Sequence, residues 1–167
     1  MIIIVFGLPG SGKSFFASRL AEKLEAKYVN SDKLRLNLFP VRSYSEEEKN
    51  QVYESMIREM EIAIRKGESL VLDATFYRED IRNKFIEKAK GHRQTIRFIE
   101  VHAEEGIIKE RLGKKREYSE ADFSIYQKVK ASFEPLEQDH LTLQSTQENI
   151  EEMLEKALNH IQESNGN

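Results

Sequence analysis

The stretch that decides the fold is MIIIVFGLPGSGKSFF, residues 1–16. An apolar run, Ile2–Phe6, meets a glycine-rich turn, and the turn meets a lysine, a serine and helix-forming sequence. Residues 7–14, GLPGSGKS, fit the pattern G-x-x-x-x-G-K-[ST], and a strand before it with a helix after it is the context that gives the pattern meaning. Gly7, Gly10 and Gly12 allow backbone angles that a Cβ resists, so successive N–H groups can turn inward around an anion. The following helix points its positive end at the same place. Lys13 reaches toward terminal phosphates, and the Ser14 hydroxyl suits a Mg²⁺ ion. Gly7, Pro9, Gly10, Ser11, Gly12, Lys13, Ser14 and Phe15 are therefore the candidate nucleotide contacts. Phe15 has no hydroxyl, so only its backbone N–H is available there.

Composition bounds the rest. A chain of 167 residues is expected to be one domain over 1–167, with enough length to bury a core without disulfides or metals. There is no cysteine, which excludes a disulfide framework, a thiolate metal site and a cysteine nucleophile. The apolar start is too short for a secretory leader, and no run approaches membrane-spanning length. The expectation is a soluble cytoplasmic protein. Net charge is −3, and residues 146–167, with five glutamates and one lysine, leave the remainder at +1. A near-neutral body does not advertise non-specific nucleic-acid binding.

Five short apolar runs read as strands: Ile2–Phe6, Lys27–Val29, Ser69–Leu72, Thr95–Val101 and His140–Leu143. Several are too uniformly apolar for a sheet with one wet face. Helical stripes lie between them: Phe16, Leu20 and Leu24; then Val52, Met56, Met60 and Ala63; then Ile81, Phe85, Ile86 and Ala89. Gly67 and Gly91 are plausible stops. Near the C-terminus, Ser145 and Glu148 form a capping-box pattern ahead of an amphipathic helix over 146–163, expected to pack on the sheet. Alternation of strand and helix predicts an α/β fold with three layers, a parallel sheet between helices. Residues 104–133 break the rhythm with two helices, Glu105–Leu112 and Ser119–Ser132, joined by the basic turn GKKREY, as a lid would.

Two acidic positions can complete a phosphoryl-transfer site. Asp32, in NSDKLR, follows the second strand and can accept the proton of an attacking hydroxyl. Arg35 lies one helical turn on and can hold a substrate anion. The competing reading makes Ser31 or Asp32 a helix cap and Arg35 a solvated charge. Asp73, in SLVLDATF, ends the third strand and can hold Mg²⁺ or its waters, with Thr75 beside it for substrate. The lid supplies Arg111, Lys114, Lys115 and Arg116. The guanine-switch patterns D-x-x-G and N-K-x-D are absent, and the four histidines show no metal spacing.

Together these segments resemble the small P-loop kinases of the polynucleotide kinase and zeta toxin-like group, AAA-type ATP-binding proteins. The resemblance runs from Ile2 to Leu143 and rests on VNSDKLR, LVLDATF and ERLGKKREYSEADFSIYQKVKASFEPLE in that order. It implies a five-stranded parallel sheet of order 2-3-1-4-5 with a helical lid, using ATP and Mg²⁺. It makes Asp32 the general base, Arg35 and Arg82 substrate arginines, Asp73 the acidic end of the third strand, and Arg111 the lid arginine lying on adenine. Either Lys115 or Arg116 falls where a lid cation meets the phosphates. The implied acceptor is a hydroxyl of a small molecule, a nucleoside or a nucleic-acid 5′ end. The near-neutral body tilts the balance toward something small. A non-enzymatic ATP-binding regulator and a sugar-nucleotide kinase of the toxin type are the alternatives.

Overall fold

The computed structural model describes residues 1–114 and 122–164. Its elements run β1 (Ile2–Phe6), α1 (Lys13–Lys23), β2 (Lys27–Asn30), α2 (Ser31–Leu38), α3 (Glu46–Lys66), β3 (Leu70–Asp73), α4 (Glu79–Gly91), β4 (Ile96–His102), α5 (Glu105–Leu112), α6 (Phe123–Ala131), β5 (Leu141–Gln144) and α7 (Ile150–Glu163). The strands form one parallel sheet of order β2-β3-β1-β4-β5. This is the expected order.

The central strand explains its own composition. Ile2, Ile4 and Phe6 join a core under α3 and α4, while Ile3 and Val5 join a second core under α1 and α7. Successive residues face opposite layers, and both layers are dry, so every position is apolar. The chain order reverses at β1, where its neighbours β3 and β4 diverge. That opens a crevice at the carboxyl ends of the strands.

Helix ends follow local chemistry. Gly67 closes α3 in the left-handed region at φ 69°. Ser45 caps the start of α3 by accepting from Glu48 N. Asn30 does the same for α2 from Lys33 N, so neither Ser31 nor Asp32 is the cap. The Ser145–Glu148 capping box does not form. Arg111 Nη1 donates to the Ser145 hydroxyl at 2.9 Å, and α7 begins at Ile150 rather than at 146. The rest of that reading holds: Met153, Leu154, Ala157 and Ile161 are buried beside α1 and β5. In the lid, α5 has the expected bounds, and the described part of the second helix begins at Phe123, capped by Asp122. Among the described residues no helix is long and apolar enough to cross a membrane.

Candidate active site

The turn after β1 is shaped by close approach. A Cβ on Gly7, at φ 149°, would sit 2.4 Å from the Val101 carbonyl oxygen of β4. On Gly12, at φ 89°, it would meet the Ser145 hydroxyl at 2.7 Å and Arg111 Nη1 at 2.9 Å. Gly12 caps α1 without a side-chain hydrogen bond, which leaves the first-turn N–H groups facing outward for an anion. Pro9, Lys13, Ser14 and Phe15 line a cavity of about 1050 Å³ at this edge of the sheet. Asp32, Arg35, Asp73 and Thr75 line the same cavity. Three segments distant in sequence therefore line one cavity.

Asp73 is fully buried at the end of β3. Its Oδ2 accepts from the Tyr28 hydroxyl at 2.6 Å and from Asn30 Nδ2 at 2.7 Å. Asn30 Nδ2 also lies 3.4 Å from Ser14 Oγ. The other oxygen, Oδ1, is buried and accepts no hydrogen bond. Leaving a buried carboxylate oxygen bare is costly unless something else takes it. Mg²⁺ fits this donor set, because it prefers oxygens and takes one or two carboxylates together with substrate phosphates. Burial, then the Asp73 charge and hydrogen bond, pushes the Tyr28 phenol well above its usual range, so it stays a proton donor.

Asp32 stands in the first turn of α2, with Arg35 Nη1 3.4 Å from its Oδ1. Arg35 is not solvated. Its Nε pairs with Glu48 at 3.1 Å, and its guanidinium lies 4.9 Å from the Tyr44 ring. Glu48 is itself buried and accepts from Ser43 N, Ser43 Oγ and Tyr44 N. Burial opposes its charge, but those donors and Arg35 outweigh it and hold the carboxyl below its usual value.

Two expected site residues behave differently. Arg82 is 1% exposed, and its guanidinium donates to the carbonyls of Phe76, Glu134 and Pro135. It is turned into the protein and does not line the cavity, so the reading of it as a substrate arginine is corrected. Arg111 donates to Gly10 O at 3.2 Å and Thr146 O at 2.9 Å as well as to Ser145, tying the phosphate loop to the turn before α7. Lys115 and Arg116 lie outside the described residues. Phe15 is 53% exposed, with the Arg19 guanidinium 3.9 Å from its ring centre. Tyr28, Asn30 and Glu48 were not anticipated. Only Asn30 carried a signal, as a capping residue directly after a strand.

The chain matches a family model described as AAA domain over residues 2–136. It belongs to that family. Among solved structures it is similar to a sugar kinase from a Janibacter species, at 20% identity and a TM-score of 0.71, covering 94% of this chain and 91% of the other. It is also similar to a gluconokinase from Sinorhizobium meliloti, at 21% identity and 0.71, covering 94% and 89%. A third is the Mycobacterium tuberculosis APS kinase in complex with AMPPNP and APS, at 17% identity and 0.73, covering 96% and 97%. At these identities the likeness establishes the P-loop kinase-like fold. No curated protein matches the sequence.

Proposed function

We propose that this AAA domain protein is an ATP- and Mg²⁺-dependent kinase that phosphorylates a hydroxyl on a small molecule. The observation that carries it is one cavity lined by Lys13 and Ser14 of the phosphate loop, by Asp32 and by Asp73. ATP lies with its phosphates over residues 7–15 and its adenine against Arg111. The acceptor hydroxyl sits between Asp32 and the γ-phosphate. Asp32 takes the hydroxyl proton as the acceptor oxygen bonds to phosphorus. The bond from that phosphorus to the ADP oxygen breaks, leaving ADP and a phosphate ester. Ser14 and Asp73 would hold Mg²⁺, which would supply charge neutralisation of the phosphates. Arg35, fixed by Glu48, and Thr75 orient the acceptor, and Lys115 or Arg116 meets the transferring group from the lid.

A small acceptor is supported by the near-neutral body and by what the similar structures are called: sugar kinase, gluconokinase, APS kinase. The resemblance to the polynucleotide kinase and zeta toxin-like group rests on VNSDKLR, LVLDATF and the basic lid, and it keeps nucleosides, sugar nucleotides and 5′-hydroxyl oligonucleotides on the panel. Acceptor-dependent ADP release across sugars, sugar acids and those compounds tests the reading. With the accepted compound, Asp32→Asn retains ATP affinity and loses about 10²–10⁴-fold in turnover. Undiminished turnover in that variant removes Asp32 as the base. ATP binding with no acceptor-dependent release across the panel favours a nucleotide-binding regulator instead.

A further inference from the structure

Asp73 is asked to present one oxygen in one direction, yet a carboxylate on a strand end can rotate about χ2. Something must choose which oxygen faces the phosphate loop. The structure shows two donors at work, and both come from β2. The parallel register sets Asn30 beside Asp73, and Tyr28 lies two residues earlier. Residues two apart on a strand share a face, so both side chains reach the same carboxylate. Tyr28 OH and Asn30 Nδ2 converge on Oδ2 at 2.6 and 2.7 Å, and Oδ1 is left bare and buried. Asn30 has further duties. Its Nδ2 lies 3.4 Å from Ser14 Oγ, and its Oδ1 accepts from Lys33 N at the start of α2.

We propose that Tyr28 and Asn30 are positioning residues for the metal: they hold Asp73 Oδ2 on the side of Ser14, which fixes the carboxylate and leaves Oδ1 without a protein donor, for Mg²⁺ or its waters. The inference rests on the Mg-ATP reading above and names residues that reading does not use. It follows from hydrogen-bond counting. A carboxylate with both donors on one oxygen loses its freedom to turn, and the other oxygen is left with no competing donor. Through Asn30 the same device couples the metal pair to the helix that carries Asp32.

The test needs no acceptor. A fluorescent ATP analogue is titrated onto wild type and Tyr28→Phe without divalent metal, and then Mg²⁺ is titrated at fixed analogue. Mn²⁺ binding in the presence of ADP is followed by electron paramagnetic resonance. The expected result is metal-free affinity within about twofold of wild type, with half-saturating Mg²⁺ and Mn²⁺ both raised about tenfold. Unmoved metal midpoints in a variant that melts like wild type overturn the proposal. So does a metal-free affinity that falls as far as the metal-bound one, which would mean a distorted phosphate loop. Should Tyr28→Phe melt early, Asn30→Ser carries the comparison, since serine still caps α2 but cannot extend an amide to Asp73. A wild type that binds no analogue, with metal or without, condemns the nucleotide reading itself. A wild type that binds analogue with no response to metal condemns the metal assignment alone.

Discussion

Arg82 brings a charge into the interior and lays it on the carbonyl oxygens of Phe76, Glu134 and Pro135. One of those residues shows why. Phe76 has φ 46°, a left-handed conformation that costs a phenylalanine on the order of 1–3 kcal/mol. It is held there from three sides. Arg82 binds its carbonyl at 2.7 Å, the Tyr53 hydroxyl accepts from its N–H at 3.2 Å, and its ring packs against Tyr53 and Phe85. The bend turns the chain out of β3, directly after Asp73 and Thr75. Arg82 therefore serves the site from behind, by bracing the turn that presents them. Replacing it with methionine fills much of the space but strands the buried Phe76 carbonyl and removes the donor to Glu134 and Pro135. Arg82→Met is expected to lower unfolding free energy by about 3 kcal/mol. A shift of the urea midpoint measures this. An unchanged midpoint with a raised acceptor KM would return Arg82 to the role of substrate ligand.

At the scale of elements, the stretch 132–140 that leads from α6 to β5 is a strap stitched across the sheet. Phe133 stacks parallel on Phe6 with ring centres 6.4 Å apart, and Glu134 N donates to Tyr77 O. His140 Nε2 lies 3.1 Å from Glu100 Oε2, and His102 Nε2 lies 3.0 Å from Oε1 of the same carboxylate. The hydrogen bond to Glu100 holds His102 above its ordinary value of 6.5, against the opposing effect of burial. Burial opposes ionised Glu100, but the two histidines outweigh it and hold the carboxyl below its ordinary 4.5. The signs then fix the pH window. The His102 contribution is full below 6.5 and is lost as pH rises through its raised pKa. The Glu100 contribution is full above 4.5 and is lost as pH falls through its depressed pKa. Stability from this cluster is greatest between the two ordinary values. The His102 side chain is 47% exposed, so solvent screens the pair and the effect stays under about 1 kcal/mol, or about 2–4 °C in melting temperature. Melting curves from pH 5 to 9 are expected to fall on the alkaline side, and His102→Asn is expected to flatten that fall. Parallel curves for the two proteins would show that the pair contributes nothing. Elements differ in how far the sequence announced them, and burial is the reason. The central strand and α3 could be read directly because whole faces of them are apolar. Helix α2 buries only Arg35 and shows no apolar stripe, so only its cap-type residues and the Asp32–Arg35 spacing pointed to a helix. The Ser145 cap failed for a nonlocal reason, since Arg111, 34 residues away, takes the hydroxyl. Tyr28 was invisible because its partner is set by the β2–β3 register.

Across the whole molecule, the cores are unequal. Both faces of the sheet are covered by large apolar clusters, whereas the lid closes on a small one of Ile108, Leu112 and Tyr126, with Leu8, Ala103 and Phe123 against it. Helix α6 buries a single residue, Tyr126, yet Ile125, Lys128 and Val129 on the same helix line the cavity. A helix that lines the cavity thus has little buried surface holding it down, while α5 is anchored by Arg111 to the phosphate loop. Local opening costs less where fewer apolar contacts are lost, so the lid should open without the sheet. Amide hydrogen exchange resolves this. Exchange in α6 is expected to be faster than in β1 and β3 by more than about 100-fold, the ratio that corresponds to about 2.8 kcal/mol. If the cavity takes nucleotide as proposed, ATP should slow exchange in α6 and leave α7, on the opposite layer from α3 and α4, little changed. Equal protection of α6 and the central strands would mean that lid and sheet open as one unit, and that substrates enter by some route other than movement of this helix.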